Sequence, residues 1–108
     1  MAYNEMQSRA LPHRTDVRWF HSETVTDATS DPLILPSLGR DAAVSVTPGT
    51  GATVQYTLSS YADVINVTAT WHDWPAGSVT EATVDGIAGS ASALRLLSTG
   101  ASEWEVAL

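Results

Sequence analysis

The run Ala43-Val44-Ser45-Val46-Thr47-Pro48-Gly49-Thr50-Gly51-Ala52-Thr53-Val54-Gln55-Tyr56-Thr57-Leu58 carries the clearest structural signal in the chain. On both sides of Pro48-Gly49-Thr50-Gly51, apolar and polar residues alternate with the two-residue period of a half-buried strand. Val44 and Val46 then share one face of the first strand, and Val54, Tyr56 and Leu58 share one face of the second. Two alternating runs joined by a short Pro/Gly-rich loop predict an antiparallel hairpin with those side chains turned inward.

The same pattern recurs further out. Ser92-Ala93-Leu94-Arg95-Leu96-Leu97-Ser98 and Ser102-Glu103-Trp104-Glu105-Val106-Ala107-Leu108 flank Thr99-Gly100-Ala101 and predict a second hairpin. Leu94, Leu96, Trp104, Val106 and Leu108 face inward, Leu97 breaks the alternation, and Arg95 is expected to meet Glu103 or Glu105 across the ladder. Residues 16–26 read as another strand, with Val17, Trp19, His21 and Val25 on one face and Arg18, Phe20 and Ser22 on the other. Turn chemistry follows through Pro32, and Leu33-Ile34-Leu35 is a short strand held between two prolines. Ser60 is placed to cap a helical turn, with Asp63 near its positive end. Residues 66–71 read as strand, with Val67, Ala69 and Trp71 alternating against Thr68 and Thr70. Trp74-Pro75-Ala76-Gly77 reads as a turn, and residues 78–84 as a short strand or extended linker closed by Asp85-Gly86.

About seven short strands, with turn signals every eight to twelve residues or so, predict an all-β fold. The expected architecture is a small antiparallel β-sandwich or barrel over residues 16–108, preceded by an extended N-terminal arm over residues 1–15. In that arm Pro12 stops the only helix-compatible run, and Tyr3, Met6 and Leu11 are apolar anchors for a surface on which it could lie.

At 108 residues and 44% apolar content, the chain holds one domain and one core. No apolar run reaches the ~20 residues of a membrane-spanning helix, and no basic-then-apolar leader marks a cleavable export signal. Cysteine is absent, which removes disulfides and thiolate chemistry together. Asn66-Val67-Thr68 fits a glycosylation pattern, but without an export signal it reads as an accident of β-strand composition. Charge is divided unevenly. Residues 1–18 carry Arg9, Arg14 and Arg18 against Glu5 and Asp16, whereas residues 19–108 carry Arg40 and Arg95 against ten acids. So acidic a body argues against a nucleic-acid backbone as partner, while the basic arm can dock on an acidic neighbour, including another copy of the chain.

Catalytic chemistry finds little to build on. His13, His21 and His72 lie in different elements without metal-ligand spacing, and His72-Asp73 would point to opposite faces of a strand. There is no Gly-x-Ser-x-Gly nucleophile motif and no calcium loop, and Gly49-Thr50-Gly51 lacks the lysine and helix of a phosphate loop. The carboxylates Asp63, Asp73, Glu81 and Asp85 are scattered over separate loops. The expectation is therefore no enzyme, no cofactor and no metal. Trp71 and Trp74 admit two readings. One is a stacking platform for sugar rings in a carbohydrate- or receptor-binding module. The other puts Trp71 in the core and Trp74 over an open end or a subunit interface.

Gly51-Ala-Thr-Val-Gln-Tyr-Thr-Leu-Ser-Ser, Thr68-Ala-Thr-Trp-His-Asp-Trp-Pro-Ala-Gly-Ser-Val, Ala93-Leu-Arg-Leu and Trp104-Glu-Val together resemble small structural proteins of tailed bacteriophage virions. The likeness spans roughly residues 42–107 and rests on sandwich-building residues. It implies a non-enzymatic virion component: a head decoration protein clamping capsid subunits, or a tail or neck part. Its partners would be capsid or other virion proteins, with no nucleic acid or membrane, and by analogy it would be a homo-oligomer such as a trimer. The residues expected at the assembly interface are Tyr3, Met6, Arg9, Leu11, Arg14 and Arg18 of the basic leader, with Phe20 and Trp74 as an aromatic edge.

Overall fold

A computed structural model describes residues 3–10, 17–36 and 38–108. In chain order the elements are β1 (Asn4–Glu5), β2 (Gln7–Ala10), β3 (Val17–Thr26), β4 (Leu33–Ile34), β5 (Ala42–Thr47), β6 (Gly51–Thr57), α1 (Tyr61–Ile65), β7 (Trp71–Val79), β8 (Thr83–Ile87), β9 (Ala93–Thr99) and β10 (Ala101–Ala107). The strands form two sheets: sheet I in the order β1-β4-β9-β6-β7 and sheet II in the order β2-β3-β10-β5-β8. Neighbours pair antiparallel except β1 with β4. The fold is the all-β sandwich that the alternation predicts.

The core lies between the sheets. Sheet II contributes Val44, Val46, Trp104 and Val106, and sheet I contributes Leu33, Val54, Leu94 and Leu96, each at most 1% exposed. Burying aliphatic side chains of this size stabilises by about 1.5–3 kcal/mol apiece, so the inward positions of β5, β6, β9 and β10 hold the domain together. Trp19, Tyr56 and Leu108 pack half-buried around the rim.

Neither expected hairpin forms. β5 belongs to sheet II and β6 to sheet I, and the same division separates β9 from β10. The actual pairs are β6 with β9 and β5 with β10, so each Gly-containing connection carries the chain from one sheet to the other. An alternating run looks the same whether its sequence neighbour lies beside it or faces it across the core, which is why the pattern misplaces the pairing. The two crossings stack on each other. Gly49 N–H donates to Ser102 Oγ at 3.0 Å and Thr50 N–H to the Thr99 carbonyl at 2.8 Å. A Cβ on Gly49 would lie 2.6 Å from the backbone nitrogen of Ala101. Gly100 turns with φ +75° and donates its N–H to Asp27 Oδ1 at 2.7 Å. Leu58, expected inward, is 58% exposed because β6 ends at Thr57.

Residues 4–10, expected as part of a separate arm, are strands of this chain's own sheets. β1 pairs with β4, β2 pairs with β3, and Met6 between them is buried in the core. The strands are short and change sheet at Met6, so the alternation restarts there and leaves no period to read. The boundary expected at residues 15 and 16 lies outside the described residues.

Two further expectations change around α1 and β7. Residues 66–70 are not strand: β7 starts at Trp71. Nor is Trp74-Pro75-Ala76-Gly77 a chain reversal. Gln55 pairs with Asp73 and Thr53 with Ser78, so these residues bulge opposite Val54 within β7. Pro75 is tolerated because β7 is an edge strand, where a missing N–H costs no ladder bond.

Candidate binding surfaces

The course of β7 reverses the expected roles of the two tryptophans. Along β7, Trp71 and Asp73 face outward, so ordinary alternation points Trp74 into the core, where it is 2% exposed. The indole Nε1–H donates to the Gly77 carbonyl at 2.6 Å, and Gly77 itself has φ +66°. Trp74 therefore offers no outer aromatic edge. Trp71 instead lies half-buried on the outer face of sheet I, with the Arg95 guanidinium 4.3 Å above its ring centroid. Arg95 does not meet Glu103 or Glu105, which lie in the other sheet. Its Nε–H donates to Gln55 Oε1 at 2.8 Å, and Gln55 Nε2–H donates to Asp73 Oδ1 at 2.8 Å. These contacts run across β9, β6 and β7, because Gln55 is the register partner of both Arg95 and Asp73. Burial lowers the Arg95 pKa below its ordinary value.

A second surface lies around α1. Ser60 caps the helix by accepting from Asp63 N–H at 3.2 Å, as its position predicts. After the cap residue Asn66, the chain closes with the two bonds of a Schellman motif: Val67 N–H to the Val64 carbonyl at 3.3 Å and Thr68 N–H to the Asp63 carbonyl at 2.9 Å. The left-handed position of that motif is normally glycine, yet here it is Val67, with φ +60°. A β-branched residue in this conformation costs on the order of 1–2 kcal/mol. Val67 is also 74% exposed, and Leu58 and Tyr61 of the same segment are exposed with it. Tyr3 stands edge-on to Tyr61, with ring centroids 6.1 Å apart. The Tyr61 hydroxyl beside it, helped by the charge of Glu5, raises the Tyr3 phenol above its ordinary pKa.

Of the residues expected at an interface, Tyr3 is exposed and belongs to this second surface. Met6 is core and Phe20 is half-buried. Arg9 and Arg18 are register partners in the β2 and β3 ladder. Leu11 and Arg14 lie outside the described residues, as does His13. Sequence reasoning missed Leu58, Tyr61 and Val67. The Ser60 cap pointed to the helix, but nothing marked Val67 as the left-handed residue beyond it, because that position is normally glycine or asparagine.

Several other polar side chains bond within the fold. Glu23 Oε1 accepts from Trp104 Nε1–H at 3.0 Å and from Asn4 Nδ2 at 3.4 Å, and it lies 3.1 Å from His21 Nε2. That carboxylate ties β1 of sheet I to β3 and β10 of sheet II. His72 packs against Tyr56, whereas Asp73 bonds Gln55, so the two do not act as a pair. Among the described residues, no three metal-ligating side chains converge. No protein-family model matches the chain, and no curated protein or solved structure does either.

Proposed function

We propose that this chain works by binding other protein subunits and transforms no molecule. Within that reading it is a structural protein of a tailed-bacteriophage virion, a capsid decoration protein that stabilises the assembled particle. The virion assignment rests on the sequence resemblance alone. The binding reading rests on one observation: Val67 keeps a strained backbone at a position where glycine would relieve it, and the valine side chain is offered to solvent on the segment that also exposes Leu58 and Tyr61, the latter edge-on to Tyr3. Strain held at an exposed apolar surface is a mark of a functional contact.

The carbohydrate-binding alternative needs two exposed tryptophans. Trp74 is buried and one face of Trp71 is covered by Arg95, which leaves no paired platform.

Removing residues 2–15 is a poor test, since it would take Met6 and both leader strands out of the fold. Surface substitutions are cleaner. Tyr61→Ser combined with Val67→Gly should leave the isolated chain folded by circular dichroism and abolish its co-sedimentation with virions from cells that make them. Full incorporation of the doubly substituted chain would remove the basis for this interface.

A further inference from the structure

The outer face of sheet I holds an open trough of about 520 Å³. Leu97 and Thr53 form part of its floor, and they sit one same-face step along the ladder, about 7 Å, from Arg95 and Gln55. One wall is residues 27–29, which run beside β9 with Thr29 bridged to Leu97. The other is the end of β7, where Ser78 Oγ and Thr53 Oγ1 are 2.8 Å apart. The trough is thus lined mainly by hydroxyls and small or apolar side chains. The Asp27 carboxylate in one wall is engaged by Gly100 N–H, and Arg95 lies one ladder step beyond the trough.

Arg95 is prepared for an anion. Stacking on Trp71 and the bond to Gln55 fix the guanidinium plane, and Gln55 takes only the Nε–H. Asp73 holds the Gln55 amide so that its oxygen faces Arg95. Among the described residues, no carboxylate lies within ion-pairing distance of Arg95. A stacked, planar guanidinium with its outer N–H groups available matches the two oxygens of a carboxylate.

We infer that this trough binds an extended segment of a partner protein, with an aspartate or glutamate side chain of that segment received in bidentate fashion by Arg95. Alternate side chains of an extended segment repeat at the ladder's own two-residue step, so one that meets Arg95 sets another over Leu97. The hydroxyl-lined walls then suit a small, Thr- or Ser-rich guest. The inference rests on the reading of the chain as a binder of other proteins but uses a different face from the Val67 surface.

The test is a titration of the full chain, followed by NMR at the Arg95 Nε–H and the Trp71 indole N–H. The probe is an acetylated, amidated pentapeptide, Ala-Thr-Glu-Thr-Ala. Saturable shifts of both signals are expected. Affinity should fall at least about tenfold when the peptide glutamate becomes glutamine, and likewise in the Arg95→Lys chain, which keeps the charge but loses the fork. Leu97→Glu, which puts a second carboxylate into the trough, on its floor and one step from Arg95, should also block binding. The inference is overturned by equal binding of the glutamine peptide or by no saturation up to about 10 mM, weaker than the usual range of specific recognition. Tighter binding of a glutamine peptide with a free C-terminus would overturn it as well, by assigning the site to terminal carboxylates. So would self-association of the chain that Arg95→Lys abolishes, since the occupant would then be a second copy. Because the titration needs no particle, its failure leaves the Val67 surface to be judged separately by virion uptake.

Discussion

Gly100 and Val67 take nearly the same left-handed backbone conformation, at φ +75° and +60°. Their surroundings differ. Gly100 sits where two inter-sheet crossings stack, hydrogen-bonded to Asp27 and packed against Thr50, and a Cβ there would lie 2.9 Å from the Thr50 nitrogen. Val67 sits in the open beyond α1, with its side chain in solvent. At Gly100 the packed corner needs this conformation, and the chain supplies the residue that adopts it freely. Where it keeps a valine, the fold gains nothing, and the side chain is the feature left to explain. The contrast separates a corner that exists for packing from one that presents a surface.

Breaking the first corner should have the largest effect. Gly100→Val combines left-handed strain with a backbone clash and should destabilise the domain by about 3–5 kcal/mol in urea denaturation. An unchanged midpoint would mean the crossings are not packed as described. Gly49→Ala meets the other side of the same stack, 2.6 Å from Ala101, and should cost about 2–4 kcal/mol in the same measurement, since backbone on both sides must shift. The second corner should respond with the opposite sign. Val67→Gly should raise stability by about 1 kcal/mol, after allowing for the greater freedom of glycine in the unfolded chain, while weakening virion association. A loss of stability would remove the claim of strain. Smallest of all, Arg95→Lys should change stability by no more than about 0.5 kcal/mol, because the contact with Trp71 is half-exposed. A larger loss would make Arg95 a structural residue and not a waiting ligand.

The candidate surfaces were legible only in part. Tyr3 was expected at an interface and is exposed beside Tyr61, but Met6 and Trp74, expected with it, are core residues. A large apolar side chain in an irregular segment reads the same whether it points in or out. Only the tertiary structure shows that β7 runs on through these residues, so that alternation from the outward Asp73 points Trp74 inward. The contact of Arg95 with Trp71 was out of reach for the same reason. It depends on β6 standing between β9 and β7, whereas the sequence puts β10 next after β9.

By itself the sequence determined the β class of this protein and the inward faces of its regular strands, as Val44, Val46, Val54, Leu96, Trp104 and Val106 attest. Those properties follow from the two-residue alternation of side chains along an extended backbone, which is local. Tertiary structure alone decided which strands pair, where β7 bulges and which corner carries strain. Pairing across a sandwich is a choice among partners distant in sequence. It is settled by how the two inner faces fill the space between the sheets, and no short window of residues contains that information.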